Sequence, residues 1–340
     1  MDTVLLLTHV EGDGALPRAA LEALSAARAL AQGGAVSAAI FGKGAAQAAA
    51  ALAGTGVTGV LTADSPELAD ARYGSDAAAA TALAKASGAA VVVVPGTSRM
   101  LRVAAGVAER LGGRVDTHVT GVEAEGGLAV VRWYYRQRIE AKLRRKERPW
   151  ILAVDPGAFQ AAPAQGGATP AVQAVPLELP ASAKRTAVEG FRSPASGEQT
   201  IRPDAKVLFV AGAGWTKKQA DGKPHPEKAE ELILAFIRTA GASLGSSKSL
   251  VDQAGEGQKV FTFMTHLNQV GQTGSTPRHA KGLATCCHGE EPHVVGWRFI
   301  RERRAVNLDA NCGWARGKAD VVYVADAFAV MEKVNALLKG

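Results

Sequence analysis

Cysteine is almost missing from this chain: three residues in 340, Cys286, Cys287 and Cys312, all late. An odd, clustered count argues against a disulfide framework and fits a reducing, cytoplasmic setting. Adjacent Cys286 and Cys287 project in divergent directions, and no C-x-x-C pair accompanies them. A zinc or iron–sulfur site is therefore disfavoured, despite the histidines of "CCHGEEPH", and free thiols are the simpler reading. Aromatic residues are only 5% of the chain, while Ala and Gly abound, a composition suited to close helix-on-sheet packing. No uncharged apolar run approaches the ~18 residues that span a bilayer, so the chain is not expected to cross a membrane. Its start lacks the basic segment and long apolar run of a signal peptide. A G-x-S-x-G nucleophile elbow and a G-x-x-x-x-G-K-[ST] phosphate loop are both missing.

What is present is a globular composition, 47% hydrophobic and 21% charged, long enough for two domains. The formal net charge of +7 gathers in two runs, "RWYYRQRIEAKLRRKERP" (132–149) and "RFIRERR" (298–304). Each reads either as a solvated face or as a docking patch, and neither implies nucleic acid.

The first half alternates short β runs with Ala-rich helical segments: "TVLLLTH", then "PRAALEALSAARALAQ" with Pro17 near its first turn, then "AVSAAIFG", "KGAAQAAAALAGTG" and "GVLTAD". The continuous run "AAVVVVPG" is what a parallel strand covered on both faces requires. Further on, "THVTGVEAEGGLAVVRWYYR" predicts two strands joined by a Glu-Gly-Gly turn, followed by a strand at "WILAVDPGAF". Residues 161–204, rich in Pro, Ala, Gly and Ser, read as a linker with one strand at "AVQAVPLEL". From residue 205 the α/β pattern restarts with "AKVLFVAGAGW", "PEKAEELILAFIRTAGA", a strand at "KVFTFMT", "AVNLDAN", "ADVVYVAD" and a closing amphipathic helix. The prediction is an α/β protein of two doubly wound domains, 1–160 and 205–340.

Two glycine-bearing loops invite a ligand. In "VAGAGW", Gly212 and Gly214 give G-x-G, but Lys217 occupies the third glycine position of the dinucleotide fingerprint. An NAD-dependent dehydrogenase is disfavoured, and a tight turn competes with a phosphate-approaching loop. "QVGQTG" (269–274) offers unobstructed backbone N–H groups, amide forks and a hydroxyl, an inventory suited to a ligand with pyrophosphate, polyol and heteroaromatic parts. On local chemistry alone, a polar surface turn is the better reading.

"QVGQTG" resembles the hallmark of the alpha subunits of the electron-transfer flavoprotein family. The likeness is collinear: "LGSSKSLVD" (244–252) is similar to the family's "VGASRAAVD", "AVNLD" (305–309) to "AINKD", and "ADVVYVADAF" (319–328) to "ADYGIVADLF", while "VLLLTH", "VVVVPGTS" and "PGAF" extend it through the first half. The resemblance implies a heterodimer with a beta subunit and a Rossmann-like FAD-binding C-terminal domain. Its role would be to carry electrons from a donor dehydrogenase to a quinone-linked or iron–sulfur acceptor, rather than to transform a substrate. Carried over by position, Gln269, Val270, Gly271, Gln272, Thr273 and Gly274 would wrap the flavin and its ribityl chain. Ser247 and Lys248 would lie near the ring or phosphates, and His288, Gly289 and His293 would belong to the same cradle. His293 would stand by a flavin carbonyl, and Asn307 and Asp326 would hold the adenosine end. No metal is implied. This sequence departs from the pattern where Ala213 stands for the arginine of "GGRG", Lys248 for the arginine over the flavin, and "CCHGEEPH" for "GISGAIQH". Lysine keeps the charge but not the planar fork. These departures leave open an alternative, a redox-degenerate alpha-like subunit acting as a binding or scaffold protein.

Overall fold

Val91–Pro95 is a run of valines closed by proline, and all five residues are buried. Branched side chains on both faces of a strand make sense only where helices cover both faces. The computed structural model, which describes residues 2–124, 126–135, 139–163, 167–190, 201–202, 205–253, 261–271, 277–286 and 300–339, shows that arrangement twice, in the units Met1–Phe191 and Arg192–Gly340.

In the first unit, β1 (Val4–His9), α1 (Arg18–Ala31), β2 (Val36–Gly42), α2 (Ala45–Ala48), β3 (Val57–Asp64), α3 (Tyr73–Ser87), β4 (Val91–Pro95) and α4 (Ser98–Arg110) alternate. They are followed by β5 (Arg114–Glu123), β6 (Ala129–Tyr134), β7 (Ile139–Leu143), β8 (Trp150–Val154) and β9 (Val172–Ala174). The nine strands run β7-β6-β5-β8-β4-β1-β2-β3-β9. Pairing is parallel except across β5–β6 and β6–β7. Period-2 alternation divides the core into two layers. Val4, Leu6, Ala38, Ile40, Val93 and Leu152 pack with Ala23, Ala27 and Leu30 of α1. Leu5, Leu7, Phe41, Val92, Val94 and Ile151 pack with Leu83 of α3 and Val103 and Val107 of α4. Thr97 caps α4 by accepting from the Met100 N–H at 3.2 Å.

Two expectations change here. The linker expected over 161–204 is not separate from the first sheet: the strand expected within it, β9 (Val172–Ala174), pairs with Val60–Thr62. The single helix expected over 43–54 is one α turn and one 3-10 turn, Ala49–Leu52. The Asp64 carboxylate holds its start, accepting from the Gly44 and Ala46 N–H groups at 2.9 and 3.3 Å.

The described basic residues of the run 132–149 are largely satisfied internally. Asp116, 1% exposed, accepts from Arg132 Nη1 at 2.9 Å, Arg145 Nε at 2.5 Å, Arg145 Nη2 at 2.9 Å and the Trp150 indole N–H at 2.9 Å. Arg148 pairs with Asp2 at 2.6 Å, and Lys142 with Glu123. This cluster ties the antiparallel β6–β7 hairpin to the sheet.

In the second unit, β10 (Val207–Ala211), α5 (Pro226–Ala240), β11 (Ser243–Ser246), α6 (Lys248–Asp252), β12 (Lys281–Thr285), β13 (Glu302–Asn307), α7 (Gly313–Lys318), β14 (Val321–Val324) and α8 (Ala327–Lys339) form a five-stranded sheet, β11-β10-β12-β13-β14. Every pairing in it is parallel. Phe209, Trp215, Ile233, Phe236, Phe328 and Met331 fill one layer, and Leu208, Val210, Val270, Ala284 and Ala305 the other. This confirms the doubly wound α/β class for both halves.

The expected strand at "KVFTFMT" is corrected. Its described part, 261–265, is turn and coil leading into a 3-10 turn at His266–Asn268. Phe261 and Met264 are buried in the core, and Phe261 stacks on Phe263 at 5.2 Å. Apolar content reported burial there, not backbone conformation. The strand beside β10 is instead β12, "KGLAT", which the surrounding polar residues had disguised.

Candidate functional site

An all-parallel sheet leaves a crevice outside its carboxyl ends where the strand order reverses. In the second unit that reversal falls between β10 and β12. Two groups of residues meet this edge.

The first group surrounds the end of β11. Ser246 bridges to Gln269 as an isolated parallel pair, and the Val270 N–H donates to the Ser246 carbonyl at 2.9 Å. The start of the "QVGQTG" loop is thus laid along the outer edge of β11. Asn268 fixes its entry: its Nδ2 donates to the Leu244 carbonyl at 3.2 Å, and its Oδ1 accepts from the Thr265 N–H at 3.1 Å. Val270 is fully buried, and Gly245 opposite must be glycine, because a Cβ there would fall 2.7 Å from Val270 Cγ2. Gly271 has φ +142°, a conformation only glycine adopts easily. Ser247 is buried and caps α6, accepting from the Leu250 N–H at 3.2 Å. Lys248 pairs with Asp252, one turn on, and the same carboxylate meets His266 Nε2 at 2.9 Å. Hydrogen bonds from Lys248 and then His266 hold Asp252 below the usual carboxylate range. Sequence reading missed this Lys248–Asp252–His266 cluster, since an i,i+4 pair and a histidine 14 residues away share no motif.

The second group is a crevice at the ends of β12, β13 and β14, lined by Gly214, Lys217, Cys286, Asn307, Leu308 and Asp326 among others. The turn after β10 forms one wall. Its Gly212 N–H donates to the Thr285 carbonyl at 2.8 Å, and its Gly214 N–H to the Cys286 carbonyl at 3.2 Å. Trp215 anchors the turn: it is fully buried, donates to Thr285 Oγ1 at 2.8 Å and packs on Phe328 with centroids 4.7 Å apart. A Cβ on Gly214 would lie 2.8 Å from Cys286 Cβ. Cys286 itself sits at φ +56°, an unusual value for a side-chain-bearing residue. Burial first, and the Asp326 carboxylate second, push its thiol up to about 12. Asn307 Oδ1 accepts from the Asp309 N–H at 2.9 Å, turning the chain after β13. Asp326 Oδ1 accepts from the Ala329 N–H at 2.9 Å, capping α8.

Ser247 and Lys248 are therefore brought beside Gln269, Val270 and Gly271, while Asn307 and Asp326 share a separate crevice on the same edge. Gln272, Thr273, Gly274, His288, Gly289 and His293 lie outside the described residues. Ala213, expected to mark a missing arginine, is 5% exposed within the turn after β10. The donor set suits a dinucleotide: glycine-opened backbone, amides, hydroxyls and lysines. The buried Ser246 hydroxyl beside Gln269 also has no hydrogen-bond partner among the described residues. Among the described residues, no group of three or more His, Cys, Asp or Glu could hold a metal ion, and no helix is long and apolar enough to cross a membrane.

Comparison with known proteins follows the same lines. A family model described as the electron transfer flavoprotein domain matches residues 4–180. The chain is 27% identical to an electron transfer flavoprotein subunit alpha of Mycobacterium tuberculosis (strain CDC 1551 / Oshkosh), over 99% of this chain and 98% of that protein. It is 26% identical to the protein of that name from Mycobacterium leprae (strain TN), with the same coverage. It is 25% identical over 250 residues, 73% of each chain, to Protein FixB of Escherichia coli O1:K1 / APEC.

Proposed function

The chain belongs to the electron transfer flavoprotein family, and from that premise we propose that it is the alpha subunit of a heterodimeric electron carrier, with FAD held at the carboxyl edge of its second sheet. One observation carries the reading. The "QVG" segment is docked on β11 beside Ser247 and Lys248, and Asn307 and Asp326 line a crevice on the same edge. Motif residues scattered over some 80 positions thus converge on the edge where parallel sheets bind nucleotides.

In this reading, bound flavin supplies reversible uptake of electrons from a donor dehydrogenase and their release to a quinone-linked or iron–sulfur acceptor. The chain's own part is to bind, orient and tune. Gly271 lets the loop backbone approach the ligand without a side chain in the way. Asn268 and Val270 anchor the start of that loop on β11. Lys248 places a cation near the redox end, partly balanced by Asp252. The partner that completes the carrier is a beta subunit, and the setting is the cytoplasm.

Co-expression with the beta subunit, purification and an absorption spectrum test the proposal. A bound flavin band near-stoichiometric with the heterodimer is expected; a folded heterodimer without flavin refutes it. Ala213 and the Asp252-paired Lys248 favour one other reading, a redox-degenerate subunit that binds partners without carrying electrons. Flavin that is bound yet not reduced by dithionite or by any dehydrogenase would select that alternative.

A further inference from the structure

The crevice has a cationic rim outside the residues so far assigned to the cofactor. Lys217 and Lys218 both line it. Neither makes an ion pair or side-chain hydrogen bond among the described residues, whereas Lys248, Lys142 and Arg148 are each held by a carboxylate. The segment carrying the two lysines is built, not loose. Trp215 plugs it into the core, and Thr216 Oγ1 donates to Gln253 Oε1 at 2.7 Å. The Gln219 amide donates to the Gly214 carbonyl at 3.2 Å and the Lys217 carbonyl at 2.6 Å, closing the turn under the lysines. The same crevice is lined by the carboxylate of Asp326, which by itself would repel an anion. Two lysines against one carboxylate among its charged lining residues leave the crevice net positive.

Resting on the reading above, we infer that Lys217 and Lys218 neutralise the phosphates of an adenine dinucleotide in this crevice. They supply from the third and fourth residues after Gly214 the charge that Ala213 does not. The ligand chemistry is a nucleoside diphosphate, whether part of FAD or free ADP. Lysine suits the task as a point charge on a flexible stem, needing no planar geometry.

The test uses the heterodimer, stripped of flavin and titrated with FAD, ADP and riboflavin in low and high salt. Lys217→Ala/Lys218→Ala should weaken FAD and ADP binding about tenfold in low salt. The gap should narrow as salt screens the charges. Riboflavin, which has no phosphate, should bind the double variant as it binds the parent protein. Lys217→Arg/Lys218→Arg should restore FAD binding, and Lys333→Ala, at an exposed position of α8, should leave it unchanged. Unaltered FAD and ADP binding with an unaltered salt response overturns the inference while the cofactor reading stands. An equal loss of riboflavin binding overturns the phosphate assignment. A parent protein that takes ADP but not FAD, with ADP binding lost in the double variant, refutes the cofactor reading and keeps the inference.

Discussion

Replacing Asp116 by asparagine removes one charge while keeping nearly the same shape. The carboxylate is 1% exposed and receives four N–H groups: two at Oδ1 from Arg132 and Arg145, two at Oδ2 from Arg145 and Trp150. Asparagine keeps one acceptor oxygen and turns an N–H₂ toward two of those donors. Two hydrogen bonds become donor–donor contacts, and two guanidinium groups lose their counter-charge. Breaking a buried pair by removing one partner costs about 3–5 kcal/mol. Because the Arg145 side chain is 33% exposed and regains some water, about 3 kcal/mol is expected. That is a large share of the ~5–15 kcal/mol that holds a domain together. Burial pushes the Asp116 carboxyl upward, but hydrogen bonds from Arg145 and Trp150 and the Arg145 charge outweigh it and leave it below the ordinary range. Its stabilisation is therefore complete above the unfolded carboxylate value near ~3.9 and is lost as pH falls through the lower folded value. Hydrogen exchange of peptides from β5 and β8 in a urea series reports on this unit alone. The gap between parent and Asp116→Asn should be full from pH 7 to 5 and shrink below about pH 4. A gap under about 1 kcal/mol at pH 7, the scale of an exposed pair, or one that persists unchanged into acid, would refute the reasoning.

Lys248→Ala should lower the flavin midpoint potential, and Asp252→Asn should raise it, because a cation near the ring favours the electron-rich reduced form; spectroelectrochemistry showing neither shift contradicts that placement. Gly271→Val forces a branched residue to φ +142° and should cost about 1–3 kcal/mol, read as a lowered melting temperature and weakened FAD binding, whereas an unchanged melt would show that the loop relaxes freely. Cys286, with its thiol pushed up to about 12, should resist iodoacetamide in the folded protein through pH 9 and label quickly in urea; rapid labelling of the folded protein at pH 8 would show an accessible thiolate instead.

The legible parts were those written locally. The unbroken apolar runs of "VLLLTH" and of the β4 valines specify strands buried on both faces, since every side chain must meet a helix on one side or the other. The proposed cradle is suggested by "QVGQTG" only together with its collinear neighbours. What misled was composition read as conformation: Phe261 and Met264 are buried without being in a strand, while "KGLAT" is a central strand with few apolar residues. The internal partners of the basic run were not legible for a related reason, since sequence counts charges but does not say which carboxylate, here Asp116 from 16 and 29 residues upstream of Arg132 and Arg145, will take them.

By itself, then, the sequence determined two parallel-rich α/β units, because strand and helix periodicities are short-range properties that neighbouring residues settle. It also carried the family's motifs in order. Only the tertiary structure decided that Gln269 lies against Ser246 at the sheet edge, that Asp252 holds Lys248 and His266 together, and that Lys217, Asn307 and Asp326 border one crevice. Those relations depend on which strands pair in parallel across dozens of residues, and no local pattern encodes that choice.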